Sequence, residues 1–218
     1  MKNIARRLAI FLSLMTLLAA TAHATTVIAN GGNIFVVDGN GIARQLTTTG
    51  LDSSPTLSPD KRRVAFVRRT PRRTVETGAG GATADQLWIV NIDGTSPHLL
   101  VEGHGDNEPK RTLAALGSPA FSPDGRTLYF TSAAWATSGA VHAVDLVSGK
   151  ERFVTAGNSL AVVPVGQYAG DLIVNKHKYW LAGGSYDWFW LVSPNGVDKD
   201  AIGPDESNVQ QFSSMFAN

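Results

Sequence analysis

The sequence predicts an all-β chain, and three features carry that prediction. The phrase S-P-x-x-S-P-D occurs twice, as Ser54–Asp60 and Ser118–Asp124, and each copy runs into an apolar stretch rich in β-branched or aromatic residues. Four other segments share a second pattern, an apolar strand closed by a Gly-containing turn. They are I-F-V-V-D-G-N-G from Ile34, L-W-I-V-N-I-D-G from Leu87, V-H-A-V-D-L-V-S-G from Val141 and F-W-L-V-S-P-N-G from Phe189. These recur about every 50 residues, a period that holds four short strands per repeat. Third, Gly- and Pro-containing turns interrupt every candidate helix before it reaches normal length. The fold expected is a β-propeller of about four blades, each of four antiparallel strands.

The chain opens on a leader. Lys2, Arg6 and Arg7 form a basic start, Leu8–Ala20 is an apolar run of 13 residues, and Ala22-His23-Ala24 fits a small-residue cleavage site. The apolar run is too short to span a bilayer. Cleavage near Ala24 would leave residues 25–218 as one exported propeller domain, in the periplasm or secreted, with no membrane span. Removing the leader leaves 16 Lys and Arg against 18 Asp and Glu. The apparent basicity then disappears, and with it the electrostatic case for nucleic acid. The chain has no cysteine, which excludes a disulfide framework and a thiol nucleophile.

After the leader, Thr25–Asn30 reads as a short strand and Asn33–Asp38 as a better one, ended by Gly39-Asn40-Gly41; Ala43–Thr47 reads as a third. The first full blade spans residues 54–101, the second 118–155 and the third 160–202. In the first two, Pro-Asp followed by Lys61 or Gly125 makes the tight turn between the inner strands. Lys61 stands where Gly125 stands, at a position that favours positive φ. The N-terminal strands supply three quarters of a fourth blade. Val209–Phe212 reads as a leftover strand that would pair beside Val27–Asn30 and close the ring, removing open sheet edges.

The phrase S-P-D-[GK]-x-x-[VL]-[AY]-F, followed by an apolar strand ending in D-G or S-G, resembles the Pro-Asp type of WD-like propeller repeat. It is similar to the propeller of the TolB family of periplasmic proteins. That resemblance implies a periplasmic β-propeller used for binding other envelope proteins.

The repeat frame also predicts where chemistry could sit. The turns inside each strand pair are short, whereas residues 69–86, 102–117, 132–140 and 176–186 are long connections that all project from one face. Arg69, Arg72 and Arg73 lie in the first and suit an anionic group or an acidic partner. His104, Asp106 and Glu108 lie in the second; they are residue types for a metal or an acid/base pair, in a spacing that matches no motif. Trp135 stands in the third. His177, Tyr179, Trp180 and Tyr186 stand in the fourth, where aromatics beside cations suit a peptide, a sugar or a partner surface. Asp60 and Asp124 read as turn residues. There is no G-x-S-x-G elbow, no H-E-x-x-H and no phosphate loop. The expectation is a monomeric binding or scaffold module for an envelope protein or polymer, peptide or glycan, with no catalytic set, no metal and no cofactor. The alternative is a propeller enzyme, a hydrolase or lyase, with a metal or acid/base site in its central channel.

Overall fold

A computed structural model describes residues 25–216; the leader falls outside the described residues. The strands come in chain order as four antiparallel sheets. The first holds β1 (Thr26–Asn30), β2 (Asn33–Val37) and β3 (Ala43–Gln45). The second begins with β4 (Asp52–Leu57) and β5 (Arg63–Arg68). A separate hairpin of β6 (Thr74–Thr77) and β7 (Gly80–Thr83) follows, and then β8 (Gln86–Asn91) and β9 (His98–Glu102) complete the second sheet. The third is β10 (Gly117–Phe121), β11 (Thr127–Ser132), β12 (Ala140–Asp145) and β13 (Glu151–Ala156). The fourth is β14 (Ser159–Val162), β15 (Leu172–Tyr179), β16 (Ser185–Val192) and β17 (Asp198–Gly203). A helix, α1 (Glu206–Phe216), ends the described chain.

The core lies between sheets, because each strand alternates its apolar side chains onto both faces. Ile34 of β2 meets Val64, Phe66 and Val90 of the second sheet. Val67, Leu87 and Ile89 on the other face of that sheet meet Leu128, Phe130 and Val144 of the third. Tyr129, Val141 and Ala143 then meet Leu172, Val174 and Val192 of the fourth. A fully buried side chain such as Phe66 or Phe130 contributes about 1.5–3 kcal/mol through removal from water. Successive sheets therefore pack face to face, as propeller blades do.

The repeated phrase has one structure in both places. Ser58 and Ser122 donate to Asp60 Oδ1 and Asp124 Oδ1 at 2.5 and 2.6 Å, and the same carboxylate oxygens accept from the N–H groups of Arg62 and Arg126. Lys61 adopts φ 58° in the turn where Gly125 adopts 67°. The turn is thus kept despite the side chain, at the steric cost of a left-handed residue.

Three expectations are corrected. Val209–Phe212 is not a closing strand but the middle of α1. Asp205 caps that helix by accepting from the N–H groups of Ser207 and Asn208 at 3.0 and 3.2 Å. Val209 and Phe212 then fall on the face that packs against Phe189 and Ile202 of the fourth sheet and Tyr168 in the β14–β15 connection. Among the described residues β1 pairs only with β2, so the N- and C-terminal strand pairing does not occur. The connection over residues 69–86 is not a structureless loop, because it folds into the β6–β7 hairpin. Residues 176–186 are largely strand as well. Lys176 and Lys178 continue β15 past the flanking strands, opposite Trp188 and Tyr186.

Candidate functional site

The long connections do form one continuous layer. The Gly78 N–H at the tip of the β6–β7 hairpin donates to the Ala134 carbonyl at 2.7 Å. A Cβ on Gly78 would stand 2.6 Å from that oxygen, so the close approach requires glycine. Ala115 N–H reaches the Thr83 carbonyl and Ala133 N–H reaches that of Ala114, each at 2.8 Å. Tyr179 Oη meets Thr137 Oγ1 at 3.2 Å, which joins the fourth sheet to the layer. Connections from three sheets are thus held together by backbone hydrogen bonds and a few side-chain bonds.

The most distinctive part of the layer is the projecting end of the β15–β16 hairpin. Register sets Lys178 opposite Tyr186 and Lys176 opposite Trp188. Trp180 stacks on Tyr186 with ring centroids 4.2 Å apart, and Tyr186 meets the Trp188 ring edge-on at 5.6 Å. Trp180 is 53% exposed and Tyr186 and Trp188 are half-buried behind it, so the wall meets solvent at Trp180; Tyr179, 67% exposed, stands on the other face of the hairpin. His177 packs against Tyr179 and binds Asp187 at 2.9 Å. The structure therefore groups the four as two pairs on opposite faces of the hairpin, His177 with Tyr179 and Trp180 with Tyr186.

Below the wall lies a charged base. Lys176 is nearly buried and bonds Thr155 Oγ1 at 2.7 Å and the Asp198 carboxylate. Lys178 bonds the other oxygen of Asp198 at 2.8 Å and sits over the Trp190 ring at 3.5 Å. Burial alone would raise the Asp198 carboxyl, but the hydrogen bonds from the two lysines outweigh it and hold the group below its ordinary range. Two cations share one carboxylate, which leaves the base of the wall with a surplus positive charge.

The arginines separate into two roles. Arg68 is structural: it grips the buried Asp52 carboxylate with two bonds at 2.7 and 3.0 Å and lies over Trp88 at 4.5 Å. Arg73 pairs with Glu102. Arg69 and Arg72 are exposed and have no side-chain partner among the described residues. Together with Leu51, Thr70 and Pro71, these arginines line a shallow depression of about 470 Å³.

His104, Asp106 and Glu108 do not converge. His104 Nδ1 turns to the Glu102 carbonyl, while Asp106 and Glu108 both turn to Arg111. Hydrogen bonds from Arg111 and Lys110 hold the Glu108 carboxyl below its usual range. Trp135 is half-buried, with its ring edge-on to Phe153 at 6.2 Å, so it braces the third sheet.

Sequence reasoning missed one constellation. Ser132 Oγ lies 3.0 Å from His142 Nε2, and His142 Nδ1 lies 2.6 Å from Glu151 Oε1. This has the connectivity of a serine–histidine–carboxylate relay. Its setting is different. Ser132 and His142 are 3% and 1% exposed, and the imidazole is stacked on Phe130. The Ser132 hydroxyl donates to the Thr112 carbonyl at 3.1 Å. Its oxygen is then left to accept from His142, the reverse of what an activated nucleophile needs. The relay is a buried tie across β11, β12 and β13. Only strand register brings these residues together, so no sequence motif marks them.

No family model matches the chain, and no curated protein matches it. Solved structures do. The chain is 15% identical to an oligogalacturonate lyase solved in complex with manganese, with a TM-score of 0.53 over 80% of this chain and 42% of that one. The β-propeller domain of the Trilobed protease from Pyrococcus furiosus, described as having an open velcro topology, matches at 13% identity and TM-score 0.51 over 81% and 52%. An acylaminoacyl peptidase of Pyrococcus horikoshii matches at 12% and 0.51 over 83% and 30%. The likeness is a propeller fold. At these identities it extends to the fold alone, and the chain spans about half or less of the length of each of these proteins.

Proposed function

We propose that the chain is an exported, TolB-like propeller module that binds an envelope protein or polymer, peptide or glycan, through its layer of long connections. The observation that carries this reading is the stacked wall of Trp180, Tyr186 and Trp188, open to solvent at Trp180, on a hairpin that projects past its sheet. Stacked, pre-ordered aromatics lose little side-chain freedom on binding and offer large contact areas, which is why they dominate recognition surfaces. The surplus charge of Lys176 and Lys178 beneath the wall, and the unpaired Arg69 and Arg72 in the same layer, favour a partner that carries carboxylates or other anionic groups. With residues 1–24 read as a leader, the module would act in the periplasm or outside the cell, as a monomer.

Arrays of envelope glycans and peptides probed with the chain test the reading. Retention should fall at least about tenfold when Trp180 and Tyr186 are both changed to Ala. Equal retention by that variant would remove the wall from the site.

The second reading is a propeller hydrolase or lyase. The observation in its favour is the Ser132–His142–Glu151 relay, and its burial and hydrogen-bond polarity count against it.

A further inference from the structure

Among the described residues, the first sheet is one strand short on its inner side. In the other three sheets the inner place belongs to β4, β10 and β14, each antiparallel to the next strand out. In the first sheet β1 is itself the inner edge. The Gly31-Gly32 turn pairs Asn30 with Asn33, which fixes the parity of the ladder. Thr26, Ile28 and Asn30 bond to β2, and the N–H and C=O groups of Val27 and Ala29 point the opposite way. None of those four groups has a hydrogen-bond partner among the described residues. The C-terminal segment that would have filled the place is committed to α1 on the fourth sheet.

Two of the other three inner edges are blunted, and β14, S-L-A-V, is not. Pro55 and Pro119 sit in bulges of β4 and β10, after Ser54 and Ser118 at φ 51° and 47°. Proline, bulges and charge are the usual devices that stop an edge from pairing. β1, T-V-I-A-N, has none of the three, and Ile28 is 44% exposed.

We propose that the free edge of β1 accepts an extended, uncharged segment of a partner polypeptide as an added strand. The segment would take the place that β4, β10 and β14 take in their own sheets. Each of those sheets shows the occupant to be one strand wide, and pairing through Val27 and Ala29 supplies its backbone bonds. A second copy is a poorer fit. Two β1 edges joined about a two-fold axis keep like faces on one side, so each copy would bring its own β4, which lies against the β1–β2 turn through the Asp52 N–H to Gly32 carbonyl bond of 2.7 Å. This edge is separate from the aromatic wall and stands or falls independently of it.

Hydrogen exchange at the Val27 and Ala29 amides, followed by NMR on the chain without its leader, tests the proposal. The probe is a blocked peptide N-S-L-A-V-V, the sequence around β14. Both amides should exchange fast in the free protein and slow by roughly tenfold or more at millimolar peptide. Val27→Pro removes one outward donor and leaves the β1–β2 bonds, so the effect should disappear. Ile28→Lys, which keeps every backbone group, should weaken it. Exchange that the peptide leaves unchanged overturns the proposal. So does slow exchange in the free protein at every concentration, which means an edge already filled. Slowing that rises with protein concentration alone assigns the edge to a second copy and overturns it equally.

Discussion

The Tyr179 hydroxyl meets Thr137 Oγ1 at 3.2 Å and ties the projecting hairpin of the fourth sheet to the connection between β11 and β12. The bond lies at the surface, so its loss changes stability little, by about 0.5–1 kcal/mol. Tyr179→Phe should leave the melting temperature almost unchanged while loosening the hairpin. Faster amide exchange at residues 178–186, with exchange in the core strands unaltered, is the expected result. A global loss of protection would mean that the hairpin folds as part of the core.

The scaffold beneath the layer depends on a buried ion pair. Asp52 is 1% exposed, and both its oxygens are bound by Arg68. Removing one partner leaves the other charge buried without compensation. Asp52→Ala is expected to cost about 3–5 kcal/mol in denaturant unfolding. A cost below about 1 kcal/mol would show that Arg68 is freely solvated.

The two S-P-D turns give a paired prediction. Lys61 holds φ 58° with a side chain that opposes it. Lys61→Gly should stabilise the fold by about 0.5–1 kcal/mol, the left-handed cost less the added freedom of the unfolded chain. Gly125→Lys should do the reverse. A lower melting temperature for Lys61→Gly would contradict this account of the turn.

Acid should unfold the protein partly through the same turns. Hydrogen bonds from the Ser58 hydroxyl and the Arg62 N–H hold the Asp60 carboxyl below its ordinary value, and the Ser122 hydroxyl and Arg126 N–H do so for Asp124. A carboxyl lowered on folding stabilises the native state above its unfolded value of about 3.9, and that stability is lost as pH falls through the folded value. The double variant Asp60→Asn, Asp124→Asn should therefore lose melting temperature less steeply than wild type below about pH 4. Identical acid limbs would contradict the assignment.

What the sequence revealed follows from how local each feature is. The S-P-D turns were legible because Ser, Pro and Asp act within a few residues of one another, and the repeat spacing then located the second, third and fourth sheets. Helix α1 was not legible as a helix. Val209-Gln210-Gln211-Phe212 reads equally well as a short strand, and Asp205 as cap and Tyr168 as packing partner decide the matter. The long connections were placed correctly as one face, but their internal strands were missed, because β6, β7 and the outer ends of β15 and β16 pair only with each other. The aromatic cluster was visible as composition; its stacking depends on the register of Lys178 opposite Tyr186.

The most direct measurement is site-specific photo-crosslinking in intact cells, with the crosslinker at position 180 on the aromatic wall or at position 61 on the opposite face. The account predicts discrete crosslinked products from position 180 that disappear with Tyr186→Ala and Trp188→Ala, and none from position 61. Products from position 61 alone, or the same products from both, would contradict the assignment of binding to the layer of long connections.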